Sequence, residues 1–385
     1  MTFKKAIGKL HLWLGLSSGI VVFILGITGC LYAFIEEIEP VVYKHRLYVE
    51  PQNTPKKPLS EIWESAQNAI GKEYPLMSAS MPNTPHETCR FTIYKAKENS
   101  NAIWYWQDIE LYRTVYVNPY TAAVVAMEDK TFEFFEFVVS LHWSLLLTNE
   151  IGQPIVGTAT LIFVVSLISG LILWYPKNKA AAKQRFWFKW KTSTRWKRKN
   201  YDLHSIPGFY IFLIALIFGL TGLVWTFDWF DESVQWIANG GVQHEHDQPM
   251  KSDTTKYALG KTSLDQLFVQ VQHEHPRAKR YFVSKPADSA GVINLFISNS
   301  RFDYYSNQYD QYTGKLLKSE TFADENNGHK LRSMNYDIHT GGIAGLPGKI
   351  LAFIGSLICA SLPVTGFYIW WGRKKKEKKK NAATT

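Results

Sequence analysis

The sequence predicts an α-helical membrane protein with small α+β external domains, its four transmembrane helices forming two parallel tandem repeats of helix, external domain and helix. Three observations predict it. Four long apolar stretches contain no Asp, Glu, Lys or Arg, the basic residues are segregated from the acidic ones, and motifs of the first half recur in the second. A chain of 385 residues with 46% apolar and 15% aromatic residues is also too rich in large apolar side chains to be disordered or fibrous.

The apolar stretches are Leu10 to Ile35, Ile155 to Tyr175, Ile206 to Phe227 and Ile350 to Trp371. Each supplies the ~20 residues that cross a hydrocarbon layer ~30 Å thick. Around them lie Lys4, Lys5 and Lys9, ten bases from Lys177 to Lys199, and seven from Arg373 to Lys380, which together make 20 of the 43 bases. Only Asp202 and Glu377 accompany them. Bases mark the cytoplasmic side of a membrane protein, so both termini and the Lys177 to Lys199 loop are expected there. The chain then divides into a cytoplasmic amino terminus with the first span (1–35), a first external domain (36–137), a leading segment with the second span (138–176), a basic cytoplasmic loop (177–203), the third span (204–229), a second external domain (230–338), a leading segment with the fourth span (339–372) and a basic tail (373–385).

The loop residues Arg185-Phe-Trp-Phe-Lys-Trp-Lys would suggest a nucleic-acid surface in a soluble protein. Tethered between two spans, they point to membrane lipid as the partner and not to nucleic acid. Ile27-Thr-Gly-Cys30 resembles a lipoprotein cleavage box, yet Leu220-Thr-Gly-Leu223 repeats the Thr-Gly without the Cys, which favours helix packing. Of three cysteines, Cys30 and Cys359 lie in spans and Cys89 stands alone outside. Without a C-x-x-C, four-thiolate zinc sites, iron–sulfur clusters and covalent haem attachment lose their ligands, so any haem is held noncovalently.

The repeat aligns His11…Thr28-Gly29 with His204…Thr221-Gly222, a His-to-Thr separation of 17 in both. It aligns His142…Ser169-Gly170…Trp174 with His339…Thr365-Gly366…Trp370. Two external domains fall between, each with a helical pattern, Leu59 to Ile70 and Leu264 to His273, and a strand–turn–strand, Val115 to Val125 and Gln308 to Leu317. A parallel duplication places its pseudo-twofold axis along the membrane normal.

On these residues the chain resembles the PepSY-associated transmembrane family, with paired PepSY-like external domains and a His opening each span region. The turn Tyr312-Thr-Gly-Lys315 fits that family, whereas Asn118-Pro-Tyr-Thr-Ala-Ala123 departs from it. The resemblance implies a bacterial inner-membrane protein with periplasmic domains, akin to iron-regulated proteins that reduce ferric siderophores, with noncovalent haem between transmembrane histidines. His11 and His204 occur where spans leave the cytoplasm, and His142 and His339 precede spans entering from outside. The expectation is therefore two b-type haems with two His ligands each, an inner one on His11 and His204 and an outer one on His142 and His339. Two imidazoles per iron leave no open position, which favours electron transfer. The Gly15, Gly19, Gly26, Gly219 and Gly222 faces suit close approach of helices or of a flat ligand.

The expected activity is reduction of a ferric siderophore or another ferric complex outside, with quinol or a separate reductase as donor and no acid–base catalytic residue. The alternative is a membrane-anchored PepSY module that regulates a peptidase or other external partner, which explains the domains but not the phased histidines. His244-Glu-His246 and His273-Glu-His275 are candidates for a transition metal, with no third and fourth ligand spaced to complete a site. No GxGxxG follows a strand, so no nucleotide domain is expected.

Overall fold

The uncharged stretches become helices because hydrocarbon offers no hydrogen-bond partner to the backbone, and a helix satisfies its own. The computed structural model describes residues 2–98, 100–176, 178–242 and 250–381. The first half runs α1 (Phe3–Tyr32), α2 (Ile35–Val42), α3 (Leu59–Ile70), strands β1 (Ser78–Pro82), β2 (Cys89–Ala96), β3 (Ile109–Val117) and β4 (Val124–Asp129), then α4 (Phe134–Ser144) and α5 (Asn149–Trp174). The second half runs α6 (Trp196–Tyr210), α7 (Phe212–Thr226), α8 (Asp228–Ala238), α9 (Leu264–Glu274), β5 (Arg280–Ser284), β6 (Val292–Ser300), β7 (Asp303–Asp310), β8 (Leu316–Thr321), α10 (Asn327–Thr340) and α11 (Gly345–Asn381).

Three helices, α1, α5 and the fourth-span helix, are long and apolar enough to cross a membrane, and α6 with α7 makes a further candidate span bent by 66°. The sequence reads as one continuous third span, so the bend is a departure from expectation. Pro207 inside α6 has no N–H for the helix ladder and sits just before the break at Ile211. At the equivalent places α1 carries Leu14 and Ser18 and stays unbroken. The bend also lets Phe209 stack on Trp174 at the end of α5, with ring centroids 3.6 Å apart. The basic loop folds back onto the same end, where Arg185 donates to the Leu173 carbonyl at 3.0 Å and Trp190 donates to Asp202 at 3.0 Å. In the bundle, α1 packs on α5 and α11, and α7 packs on α5 and more lightly on α11.

The external strands depart from expectation more strongly. They form one antiparallel sheet in the order β4-β3-β2-β1-β5-β6-β7-β8, not two separate domains. A four-stranded half alone would leave β1 or β5 with an unpaired edge, and their mutual pairing from Ser78↔Ser284 to Pro82↔Arg280 satisfies both. One core spans the joint: Ile62, Trp63 and Ala66 of α3 and Leu267, Phe268 and Val271 of α9 cover Phe91, Val115, Tyr281 and Ile297 on a single face of the sheet. Full burial of each large apolar side chain contributes about 1.5–3 kcal/mol, so separating the halves would expose the centre of the core.

The opposite face, carrying Arg90, Tyr116, Arg280 and Phe282, is turned toward the bundle and tied to it by polar contacts. In the first half Arg46 lies 3.4 Å over the Tyr43 ring and pairs with Glu128, Lys130 meets Glu133 at 3.2 Å, and Glu133 caps α4 by accepting from the Glu136 N–H. In the second half Tyr304 donates to Glu325, just before α10, at 2.7 Å. A third tie joins Glu36 of α2 to Arg301 in the β6–β7 turn and to Lys349 of α11, while Arg301 also pairs with Asp337 of α10.

Arg46, Lys130 and Glu133 are each less than 9% exposed. Arg46→Met leaves Glu128 and Glu133 facing a single lysine, and breaking such a buried pair costs about 3–5 kcal/mol. The expected result is a clear drop in the thermal midpoint of the detergent-solubilised protein. Lys57→Met, at the exposed pair Lys57–Glu61, should change stability by no more than about 1 kcal/mol.

Candidate functional site

Each of the four phased histidines sits against a hydroxyl residue followed by glycine. The Nδ1 of His11 on α1 lies 3.1 Å from the Ser166 carbonyl and 2.9 Å from the Ser169 hydroxyl, both on α5. His204 on α6 repeats this on α11, 3.1 Å from the Leu362 carbonyl and 2.9 Å from the Thr365 hydroxyl. His142 on α4 contacts Thr28 of α1 at 2.8 Å, and His339 on α10 contacts Thr221 of α7 at 2.7 Å. Seats and ligands are exchanged between the outgoing and returning helices of the same half.

The hydroxyl protons are already committed. Thr28 donates to the Ile24 carbonyl at 2.8 Å, Thr221 to Ile217 at 2.6 Å, Ser169 to Ser166 at 2.9 Å and Thr365 to Ser361 at 2.9 Å. Each oxygen can then only accept, so Nδ1 carries the imidazole proton and Nε2 keeps its lone pair. The following glycine makes room for the ring. A Cβ at Gly170 would lie 3.2 Å from His11 Cε1, and one at Gly366 would lie 3.3 Å from His204 Cε1. Thr28-Gly29 and Thr221-Gly222, which the sequence explains as helix packing, and the matching Ser169-Gly170 and Thr365-Gly366 are imidazole seats. Gly26 and Gly219 do serve helix packing, because a Cβ there would meet Ala360 at 2.8 Å and Val164 at 2.5 Å.

The structure brings the four residues together in the expected pairs. The rings of His11 and His204 have centroids 6.3 Å apart at 77°, and those of His142 and His339 are 6.2 Å apart at 78°. A metal–imidazole bond of about 2.0 Å, with the ring centre about 1.1 Å beyond the nitrogen, gives about 6.2 Å for two imidazoles on one metal atom. The described residues hold no group of three or more His, Cys, Asp or Glu that could complete a protein-only metal site. Each pair thus offers two imidazole rings at a spacing that one metal atom between them would fit.

The outer pair opens on a cavity of about 420 Å³ between the helices, lined by His142, His339, Trp225, Phe163, Tyr32 and Tyr336 among others. Such a volume lies within the range of ligand pockets, about 300–1,000 Å³. Trp225 packs edge-on to His339 at 5.2 Å. Along α1, His11 and the His142 seat at Thr28 are 17 residues apart, which spans about 25 Å at 1.5 Å per residue. The two pairs thus lie near opposite ends of the bundle.

Two further residues escape the sequence reading. Asn200 donates to the Thr365 carbonyl at 3.0 Å and Asn335 to the Thr221 carbonyl at 3.0 Å, each from four residues before a histidine. Both are buried and tie the second-half histidine helices to their seats. The first half has Ile7 and Val138 in their places.

Of the remaining histidines, His244 and His246 lie outside the described residues. His273 lines a cleft on the helix-covered side of the sheet, and His275 packs on Tyr305 at 4.4 Å. Neither belongs to a cluster of metal-ligating residues among those described.

Comparison with curated proteins gives no match. The family model of the PepSY-associated TM region matches residues 9–373, nearly the whole of this multi-helix chain, and the protein belongs to that family.

Proposed function

We propose that the protein conducts electrons across a bacterial inner membrane and reduces a ferric complex, of the siderophore or a related chelate class, on the outer side. The observation that carries this reading is the pair of matched imidazole couples, 6.3 Å and 6.2 Å between centroids, each with its Nδ1 nitrogens engaged by hydroxyls. In this reading His11 with His204, and His142 with His339, hold two noncovalent b-type haems. Such a group supplies reversible one-electron exchange at an iron without an open coordination position.

The chain's own residues then have three tasks. Ser169, Thr365, Thr28 and Thr221 keep the histidine tautomer fixed, which raises ligand basicity and ring order. The apolar helix faces around the outer cavity exclude bulk water, and Trp225 confines the His339 ring. The sheet stands over the outer end and receives the acceptor. Quinol, losing two electrons and two protons, or a separate reductase, is the donor, and each ferric complex takes up one electron.

Four spans in two parallel repeats fit this reading, with α6 and α7 together as the third. Their support is the matched seats and a sheet whose strand order reads alike from either end. The 20 bases at the termini and the 177–199 loop support a cytoplasmic side for those segments and an outer side for the sheet. The test uses the purified protein in vesicles of verified orientation, with reduced quinol analogue in the membrane and a ferric chelate with a ferrous-trapping dye on the sheet side. Ferrous release that requires the protein is expected. No release above protein-free vesicles, from a preparation retaining its haems, would remove the ferric-reductase reading.

A further inference from the structure

The face of the sheet turned toward the bundle is covered only at its ends. Arg46, Glu128 and Glu133 fill one end, and Tyr304 with Glu325 the other. Between them Phe282 is 42% exposed, and Ser78, Thr92 and Asn294 are exposed as well. α4 runs from this face to His142 over eight residues and α10 to His339 over twelve, about 12 Å and 18 Å of helix. Polar contacts thus tie the sheet to the bundle at its two ends and at the β6–β7 turn, and leave Phe282 and its neighbours at the middle of this face exposed.

The middle of the sheet is also the symmetry centre. The strand order is centred on the β1·β5 pair, and His142 and His339 are equivalent residues of the two halves, so one twofold direction passes through both. At that centre the register sets Arg90 of β2 opposite Ser80 of β1, Ser80 opposite Phe282 of β5, and Phe282 opposite Phe296 of β6. Arg280 reaches the Ser80 hydroxyl at 3.0 Å and pairs with Glu87. Burial, and after it repulsion from Arg90, hold the Arg280 guanidinium below its ordinary pKa. No carboxylate pairs with Arg90 among the described residues. Arg280 thus engages the Ser80 hydroxyl while Arg90 stands opposite Ser80 on the next strand and close enough to repel Arg280, beside two exposed or half-exposed aromatic rings and one neighbouring carboxylate, Glu87. Arg301 is engaged by Glu36 and Asp337, and Lys349 by Glu36 and Glu37.

We propose that Arg90, Arg280, Ser80 and Phe282 form a recognition site for an anionic, oxygen-rich metal chelate, seated under the sheet on the axis that leads to the outer histidine pair. The site rests on the proposed function for the identity of its ligand as a ferric chelate. Planar guanidinium forks donate to paired oxygen acceptors, and aromatic faces stack on the flat rings of a catecholate. The mouth below is lined by Tyr32 and Tyr336, whose rings meet at 6.4 Å. A site so placed favours chelates with net negative charge over neutral ones of similar size.

The test is equilibrium dialysis of the full chain in lipid nanodiscs against two radio-iron-labelled probes, a trianionic ferric tris-catecholate and a neutral ferric tris-hydroxamate. Arg90→Gln should raise the Kd for the trianion by about tenfold, the loss expected for one charge-assisted contact, and leave the neutral probe within about twofold. Arg280→Gln should act in the same direction, and because it leaves Glu87 unpaired, Arg90→Gln is the decisive variant. An unchanged Kd for the trianion, or equal weakening of both probes, overturns the site. Haem content of the same samples separates the two claims. Full haem with an unchanged Kd removes the site and leaves the electron-transfer reading standing. A haem-free chain that still shows charge-selective loss keeps the site and removes that reading.

Discussion

His339→Ala is expected to bind one haem per chain in place of two and to lose reduction of an external ferric chelate to the level of protein-free vesicles. The reason is geometric. His339 is one of the two imidazoles of the outer couple, and Cys359, which lines the same cavity, does not group with them as a third metal ligand among the described residues. The inner couple, about 25 Å away along α1, should keep its haem and its reducibility by a membrane donor. His273→Ala, on the helix-covered side of the sheet, should leave both haems and the rate intact. Undiminished ferrous release from a His339→Ala protein shown to lack the outer haem would contradict passage through the outer couple, and would put the chemistry elsewhere in the external domain.

Thr221→Val should weaken retention of the outer haem by roughly 10–100-fold, the usual cost of removing a partner that orients a metal-bound histidine. Valine keeps the shape and removes the oxygen that accepts the His339 Nδ1–H at 2.7 Å. Thr221→Ser restores that oxygen and should restore retention, which separates a lost hydrogen bond from lost packing. The measurement is the rate of haem transfer to an excess of a haem-free globin, followed by absorption. Equal rates for wild type and Thr221→Val would mean that the seat does not orient the ligand.

The membrane helices are legible because hydropathy alone dictates them, and the pairing of the histidines is legible because the repeat matches His11 with His204 and His142 with His339, as the family resemblance also implies. The break in the third span was harder to read. Pro207 is visible in the sequence, but proline is tolerated in many membrane helices, and the 66° bend also depends on Phe209 meeting Trp174, some 35 residues away. Fusion of the two external domains was not legible at all. It rests on pairing of two five-residue strands separated by about 200 residues, a non-local contact that neither strand's pattern announces. Asn200 and Asn335 do not stand out in the sequence because the repeat marks what recurs between the halves, and these residues recur only within the second half, each four places before its histidine. The sequence reads Thr28-Gly29 and Thr221-Gly222 as helix packing and Ser169-Gly170 and Thr365-Gly366 only as marks of the repeat, since it does not reveal that an imidazole fills the space beside these residues.

The central claim is that two imidazole couples each hold a haem, and the most direct measurement is the haem-to-protein ratio of the purified chain with its reduced-minus-oxidised absorption spectrum. The account predicts about two haems per chain with the sharp bands of six-coordinate, bis-imidazole iron, and loss of about one haem in either His11→Ala or His204→Ala. A folded but colourless protein, or single variants of the inner couple that keep full haem content and an unchanged spectrum, would contradict it.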